Sequence, residues 1–168
     1  TNASISTLPS EKYNWLENVY YYNWSVTLNS IDNSSFKNNT TYFIENWNLN
    51  INTDITTDKN ILFVVKGWNI IINSWVTKIN AILITIKKDS VWGNITANAS
   101  STNQLFVNWA LYWNISWLLS NRTYIKSDSN WYIRVGTNVN FTSKIFTNPP
   151  PLLSKFLNEY LEVKKVAK

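Results

Sequence analysis

Large aromatic and aliphatic residues alternate with asparagine, serine and threonine along this chain, and that period of two limits its fold more than any other feature. In YYYNWSVTL (20–28), Tyr20, Tyr22, Trp24, Val26 and Leu28 share one face of an extended strand, while Tyr21, Asn23, Ser25 and Thr27 share the other. The segment FIENWNLNIN (43–52) places Phe43, Trp47, Leu49 and Ile51 in phase and Asn46, Asn48, Asn50 and Asn52 opposite, with Glu45 as an inward-facing exception. Both read as half-buried strands. The runs 61–65, 68–76 and 80–86 are rich in Ile, Val and Trp and nearly continuous in hydrophobicity, as central strands covered on both faces would be. Further strand-like pieces fall at 90–97, 104–109, 111–119, 122–126, 130–135 and 138–146, separated by polar turns.

No segment recurs at a fixed period, and short strands at this spacing predict an Ig-like or pilin-like β-sandwich. The 168 residues fit one domain. Residues 1–18, interrupted by Pro9, read as a free N-terminal tail, and 19–147 as the sandwich. Residues 148–168 form a Pro-led segment packed on the sandwich or on a neighbouring subunit. Within it Leu153, Phe156, Leu157, Tyr160 and Leu161 stand at the spacing of a short C-terminal helix.

Solubility rests on uncharged groups. There are 27 Asn, 17 Ser and 16 Thr, whereas charged residues make up only 15%. The net charge of +5 would rise to about +15 with every carboxylate protonated, and the absence of Asn-Gly and Asp-Pro pairs suits a hot, acidic setting. Without His or Cys there is no imidazole or thiolate to act as base, nucleophile or soft metal ligand, and no glycine-rich phosphate loop is present. An enzyme is therefore not expected, nor a cofactor. Asp54 and Asp58, with Asp89 or Asp128, form the one conceivable oxygen-ligand set. The lysines are scattered, which argues against nucleic acid, and no apolar run is long enough to span a membrane. Any secretion signal is expected to have been removed or to lie outside this sequence.

Asn-x-Ser/Thr occurs at Asn2, Asn23, Asn33, Asn38, Asn39, Asn94, Asn98, Asn114, Asn121 and Asn140. Composition alone accounts for about five matches. Asn23, Asn94, Asn114 and Asn140 lie on the polar phase of their strands, so covalent N-linked glycans and an extracellular location are expected. Tyr21, Trp92 and Tyr112, two residues before three of these Asn, are candidates to stack on the first sugar. Trp24, Trp47, Trp113 and Trp117 keep phase with aliphatic residues and are assigned to the core. Lys66, at the end of ILFVVKG, is a candidate for an isopeptide bond if it sits in apolar surroundings beside an Asn and a carboxylate.

The dense sequons NWS (23–25), NNTT (38–41), NIT (94–96) and NIS (114–116), the alternating aromatic strands and the missing Cys and His resemble the thread-filament subunits of Sulfolobus-type archaea. That resemblance implies a β-sandwich that polymerises head to tail by donor-strand complementation into a cell-surface filament with roles in adhesion to surfaces or glycans. Its partners are then copies of itself. Ala3, Ile5, Thr7, Leu8, Tyr13 and Trp15 are the candidate donor-strand residues, with 152–166 as the rival donor. An S-layer or viral coat protein and a secreted carbohydrate-binding module are the alternatives.

Overall fold

The computed structural model describes residues 11–12, 17–30, 32–112, 114–125, 133–142 and 147–153. The strands are β1 (Glu11–Lys12), β2 (Val19–Tyr22), β3 (Val26–Leu28), β4 (Thr40–Glu45), β5 (Leu49–Ile51), β6 (Ile61–Lys66), β7 (Ile70–Ile72) and β8 (Lys78–Ile79). They continue with β9 (Ile82–Ile86), β10 (Ile95–Ala97), β11 (Leu105–Asn108) and β12 (Ala110–Tyr112). After the short helix α1 (Ser116–Asn121) come β13 (Thr123–Ile125), β14 (Ile133–Val135) and β15 (Thr137–Asn140).

The all-β expectation holds, but the β-sandwich does not. Pairing is mostly parallel, and the chain winds as a β-solenoid of about four turns. One side is the sheet β1-β2-β4-β6-β9-β12, a second is β10-β7-β5-β3 and a third is β15-β11-β8, with Ile55 bridging to Ile79 as an earlier rung of the third. In the parallel pairs each strand lies on the strand one full turn before it. β4 and β6 run in register from Thr40↔Ile61 to Glu45↔Lys66. Alternation identifies which face of a strand is buried, but it is silent on whether the neighbour is an antiparallel hairpin partner or the same strand one winding later.

The interior is built from like residues stacked rung on rung. Tyr20 stacks on Tyr42 at 5.7 Å, and Tyr42 on Phe63 at 5.1 Å. Ile44, Val65, Leu49, Ile51, Ile70 and Ile72 fill the space between the sides and have no exposed surface. The outward face of the first sheet is apolar as well. Phe43, Leu62, Val64, Ile82 and Ile84 form a second cluster with Trp109 and Leu153, so β6 and β9 are buried on both faces. The described part of the C-terminal segment lies on this face, where the Thr41 hydroxyl donates to the Pro151 carbonyl and Asn60 Nδ2 to the Asn148 carbonyl.

The two ends differ. At the first rung β1 runs antiparallel against β2, Glu11↔Tyr21 and Lys12↔Tyr20, so these two residues belong to a sheet and not to a free tail. At the last turn α1 packs on β10 in the place of another strand, with the Ile95 N–H donating to the Asn114 carbonyl at 2.9 Å. The stretch 111–119, expected as one strand, therefore holds the end of β12 and the start of α1. Arg122 follows α1 and is 2% exposed, with Nη1 and Nη2 donating to the carbonyls of Val76 (2.8 Å) and Asn73 (2.5 Å). The expected C-terminal helix beyond Leu153 lies outside the described residues.

Candidate functional site

The corner between the first and second sheets gathers the residues that the sequence singles out. Within a strand, inward residues recur every second position, yet Ile44 and Leu49 are both fully buried although five positions apart. The same slip separates Val65 from Ile70. A corner with left-handed backbone absorbs it, at Asn46 (φ 67°) and Gly67 (φ 77°). Asn tolerates this region better than other residues with a side chain, because its short amide can bond locally. Asn18 and Asn39 also have positive φ. Glu45 is consequently no inward exception: it stands on the outer face with Phe43, and Trp47 points outward from the corner, 47% exposed.

Asparagines at equivalent corner positions bond from one rung to the next. Asn46 Nδ2 donates to Asn23 Oδ1 at 3.0 Å, 23 residues back. The Asn69 N–H donates to Asn48 Oδ1 (3.0 Å) and the Asn94 N–H to Asn69 Oδ1 (2.8 Å), over 21 and 25 residues. Asn114 Nδ2 then donates to Asn94 Oδ1 at 2.7 Å, over 20 residues. Another corner repeats the device, with Asn52 Nδ2 on Asn29 Oδ1, Asn73 Nδ2 on Asn52 Oδ1, and Asn98 Oδ1 accepting from the Ser74 N–H. Between the third and first sheets Asn140 donates to Asn108, and Asn108 to Asn80. Each bond contributes about 0.5–1.5 kcal/mol, and together they fix the rung register where strands are only two to six residues long. Much of the asparagine excess is thus structural.

Of the ten sequon asparagines, Asn2 lies outside the described residues and none of the other nine is buried. Asn23, Asn38, Asn98, Asn114 and Asn140 are exposed, and Asn33, Asn39, Asn94 and Asn121 half-buried. Asn39, Asn114 and Asn140 use Nδ2 as a donor to Asn148, Asn94 and Asn108. An N-glycosidic bond replaces one of the two Nδ2 hydrogens, so the other stays available to the ladder. The candidate donor-strand residues Ala3, Ile5, Thr7, Leu8, Tyr13 and Trp15 lie outside the described residues.

The assignment of tryptophans to the core is overturned for Trp47 and for Trp117, the latter 61% exposed on α1. Trp24 is half-buried against the core, and Trp113 lies outside the described residues. Trp47 and Trp68 instead form an outward pair on consecutive rungs, ring centroids 6.5 Å apart and planes within 20°. The stacking partners proposed for the first sugars also change. Tyr21 and Tyr112 lie on the outer face of the first sheet, beyond the bend from Asn23 and Asn114, and Tyr21 stacks on Phe43 at 6.0 Å. Trp92 sits in the loop before β10, under the Lys87 ammonium at 4.8 Å.

Beside the corner, Glu45 gathers two cations. Lys66 and Lys88 approach Oε1 at 3.3 and 3.2 Å, and the Tyr21 hydroxyl donates to Oε2 at 2.8 Å. Partial burial pushes the Glu45 carboxyl up, but the hydrogen bonds from Tyr21, Lys88 and Lys66 outweigh it and hold the group below its ordinary value. The Lys66 side chain is 37% exposed and ion-paired, which is not the apolar setting an isopeptide bond requires. Asp54 is used within the chain, accepting from the Thr77 N–H and hydroxyl and from the Lys78 N–H. Asp128 lies outside the described residues, and no cluster of three acidic side chains forms among those described.

Sequence reasoning missed the corner ladder and Arg122. The signal was the pair WNLNIN (47–52) and WNIIIN (68–73), echoed by GNITAN (93–98), whose separations of 21 and 25 hide it from any search for one fixed period. Comparison with family models, curated proteins and solved structures gives no match.

Proposed function

We propose that this chain is a structural, non-catalytic module of an extracellular, N-glycosylated surface assembly, joined end-on to copies of itself. One observation carries the reading. Val139 on β15 is in register with Val107 of β11, which continues the fully buried column Ile55 and Ile79, yet Val139 is 42% exposed. A position that is interior on every earlier rung is open on the last. Phe141, just beyond it, is 62% exposed, and Trp117 and Leu119 on α1 are 61% and 46% exposed. A solenoid that ends in solvent needs a polar terminal rung; apolar residues here suit a rod continued by another chain.

Main-chain groups support the same association. Among the described residues no strand pairs with the outer edges of β12 and β15, while at the opposite end β1 covers β2 and leaves β3 open. An edge of this kind accepts a strand from a neighbour. Last rung to first rung is a heterologous contact that grows a filament, whereas last rung to last rung closes a pair. The surface filament implied by the thread resemblance is the first of these, with a rung edge in place of the sandwich groove. Nine accessible sequons and an uncharged amide surface fit the sides of such a rod.

The test is electron microscopy and light scattering of the chain with its native glycans, beside the double variant Val139→Lys, Phe141→Lys. Rods in the wild type and single particles in the variant are expected. A wild type that stays monomeric at high concentration, or peptides without sugar at the accessible sequons, would count against the reading.

A further inference from the structure

The outward tryptophans and the amides beside them share a geometry that neither end-on assembly nor the core uses. Register places Trp24, Trp47 and Trp68 at one position on three consecutive rungs. Trp24 is held edge-on against Tyr22 (5.7 Å, 90°) and closes the column at one end. Trp47 and Trp68 are 47% and 45% exposed. At the next rung the column meets Gly93, where even a Cβ would lie 2.0 Å from the Trp68 carbonyl oxygen. No side chain of that position can therefore cover the far face of the Trp68 ring.

One residue on, Asn48, Asn69 and Asn94 run parallel to the column. Their amide orientations follow from their partners, because Asn48 Oδ1 and Asn69 Oδ1 each accept from a backbone N–H and Asn94 Oδ1 from Asn114 Nδ2. Each Nδ2 is left as the free end. Among the described residues none of the three has an acceptor in the protein. The result is a row of half-exposed N–H donors beside a row of indoles, with repeats set by the rung spacing of about 4.8 Å.

We infer that the Trp47–Trp68 column and the Asn48–Asn69–Asn94 amide row bind the flat face of a neutral pyranose sugar. The ring C–H groups lie on the open Trp68 indole, and the hydroxyl oxygens accept from the Nδ2 groups. A neutral ligand fits because these five side chains carry no charge, and a chain of sugars fits because the donors repeat. Two sources share this chemistry. One is a separate oligosaccharide; the other is the chain's own glycan, since Asn94 is a sequon and a sugar joined to its Nδ2 begins beside the space over Gly93. The first source does not depend on the chain being glycosylated.

The experiment has one arm for each. Unglycosylated chain made in a bacterial host is titrated with cellohexaose and with mannohexaose, followed by tryptophan fluorescence and side-chain amide NMR. Saturable binding is expected in at least one titration, weakened about tenfold in Trp68→Ala and in Trp47→Ala. Trp75→Ala, which removes a still more exposed indole outside the column, leaves it unchanged. In the second arm Trp68→Ala is compared in glycosylated and unglycosylated chains. A larger fall in Tm in the glycosylated chain identifies the Asn94 glycan as an occupant. No binding of either hexaose at millimolar concentration, together with equal Tm losses in the two chains, overturns the inference. Binding that survives both column variants overturns it as well.

Discussion

Replacing Arg122 with Met tests whether a buried guanidinium closes the last turn of the solenoid. The side chain is 2% exposed and donates to two main-chain carbonyls of the loop between β7 and β8. A hydrogen bond from a charged donor is worth about 1.5–3 kcal/mol. The two carbonyls do not lose equally: Asn73 O also accepts from the Val76 N–H at 3.1 Å, whereas Val76 O has only Arg122 among the described residues. The loss should therefore be nearer one full bond than two. Against it stands relief from burying a cation whose own pKa burial pushes down, because the desolvation outweighs the attraction of Asp54. Met restores most of the packed volume without the charge. The expected net loss is about 2–3 kcal/mol, read from urea unfolding followed by far-UV circular dichroism. Arg122→Lys, which keeps the charge but reaches one carbonyl at best, should fall between. A Met variant as stable as the wild type would show that the guanidinium is tolerated and does not hold the turn.

Phe63 is fully buried in the interior ring stack, and Phe63→Ala should cost about 3–5 kcal/mol in the same assay; a loss near 1 kcal/mol or less would mean that the rungs collapse around the gap. At Gly67 (φ 77°) a Cβ would lie 2.7 Å from Lys88 Cβ, so Gly67→Ala adds left-handed strain to a clash and should cost at least about 1–2 kcal/mol. Little change in its unfolding midpoint would contradict that corner geometry. The Glu45 carboxyl is held below its ordinary value of 4.5, so its contribution is present above that pH and lost as pH falls through the lowered folded value. Glu45→Gln should therefore lower Tm at pH 7 and converge with the wild type in strong acid; an equal difference at both pH values would exclude this linkage.

How far the sequence disclosed the fold depends on where period-two reading stays valid. Inside the strands it assigned Tyr22, Val26, Leu28, Leu49 and Ile51 to the interior, and all five are buried. It failed across corners, because a left-handed residue takes up one position and reverses the phase: Phe43 moved to the outer face and Trp47 into solvent. The first error comes from carrying one alternation through Asn46, the second from extending the alternation of β5 back into the corner. Composition alone also hides a structural use of asparagine: Asn46 turns the chain, donates to Asn23 and accepts from Lys88 Nζ.

Sequons and ladders have a common origin in this architecture. When outward and corner positions are drawn from Asn, Ser and Thr, an apolar residue between two of them produces Asn-x-Ser/Thr without any need for a glycan, as Asn94-Ile95-Thr96 does with Ile95 fully buried. Sequon number is then weak support for glycosylation in a β-solenoid, and the relevant quantity is the freedom of Nδ2. Asn23, Asn33, Asn38, Asn94 and Asn98 use only Oδ1 toward described partners, and both Nδ2 hydrogens remain. Asn39, Asn114 and Asn140 have one already committed. Ladder formation fixes the second group and leaves the first free to turn toward a transferring enzyme. Occupancy measured site by site should follow that division, higher at Asn23, Asn33, Asn38, Asn94 and Asn98. An even distribution would place modification before the rungs close, when no ladder yet distinguishes one asparagine from another.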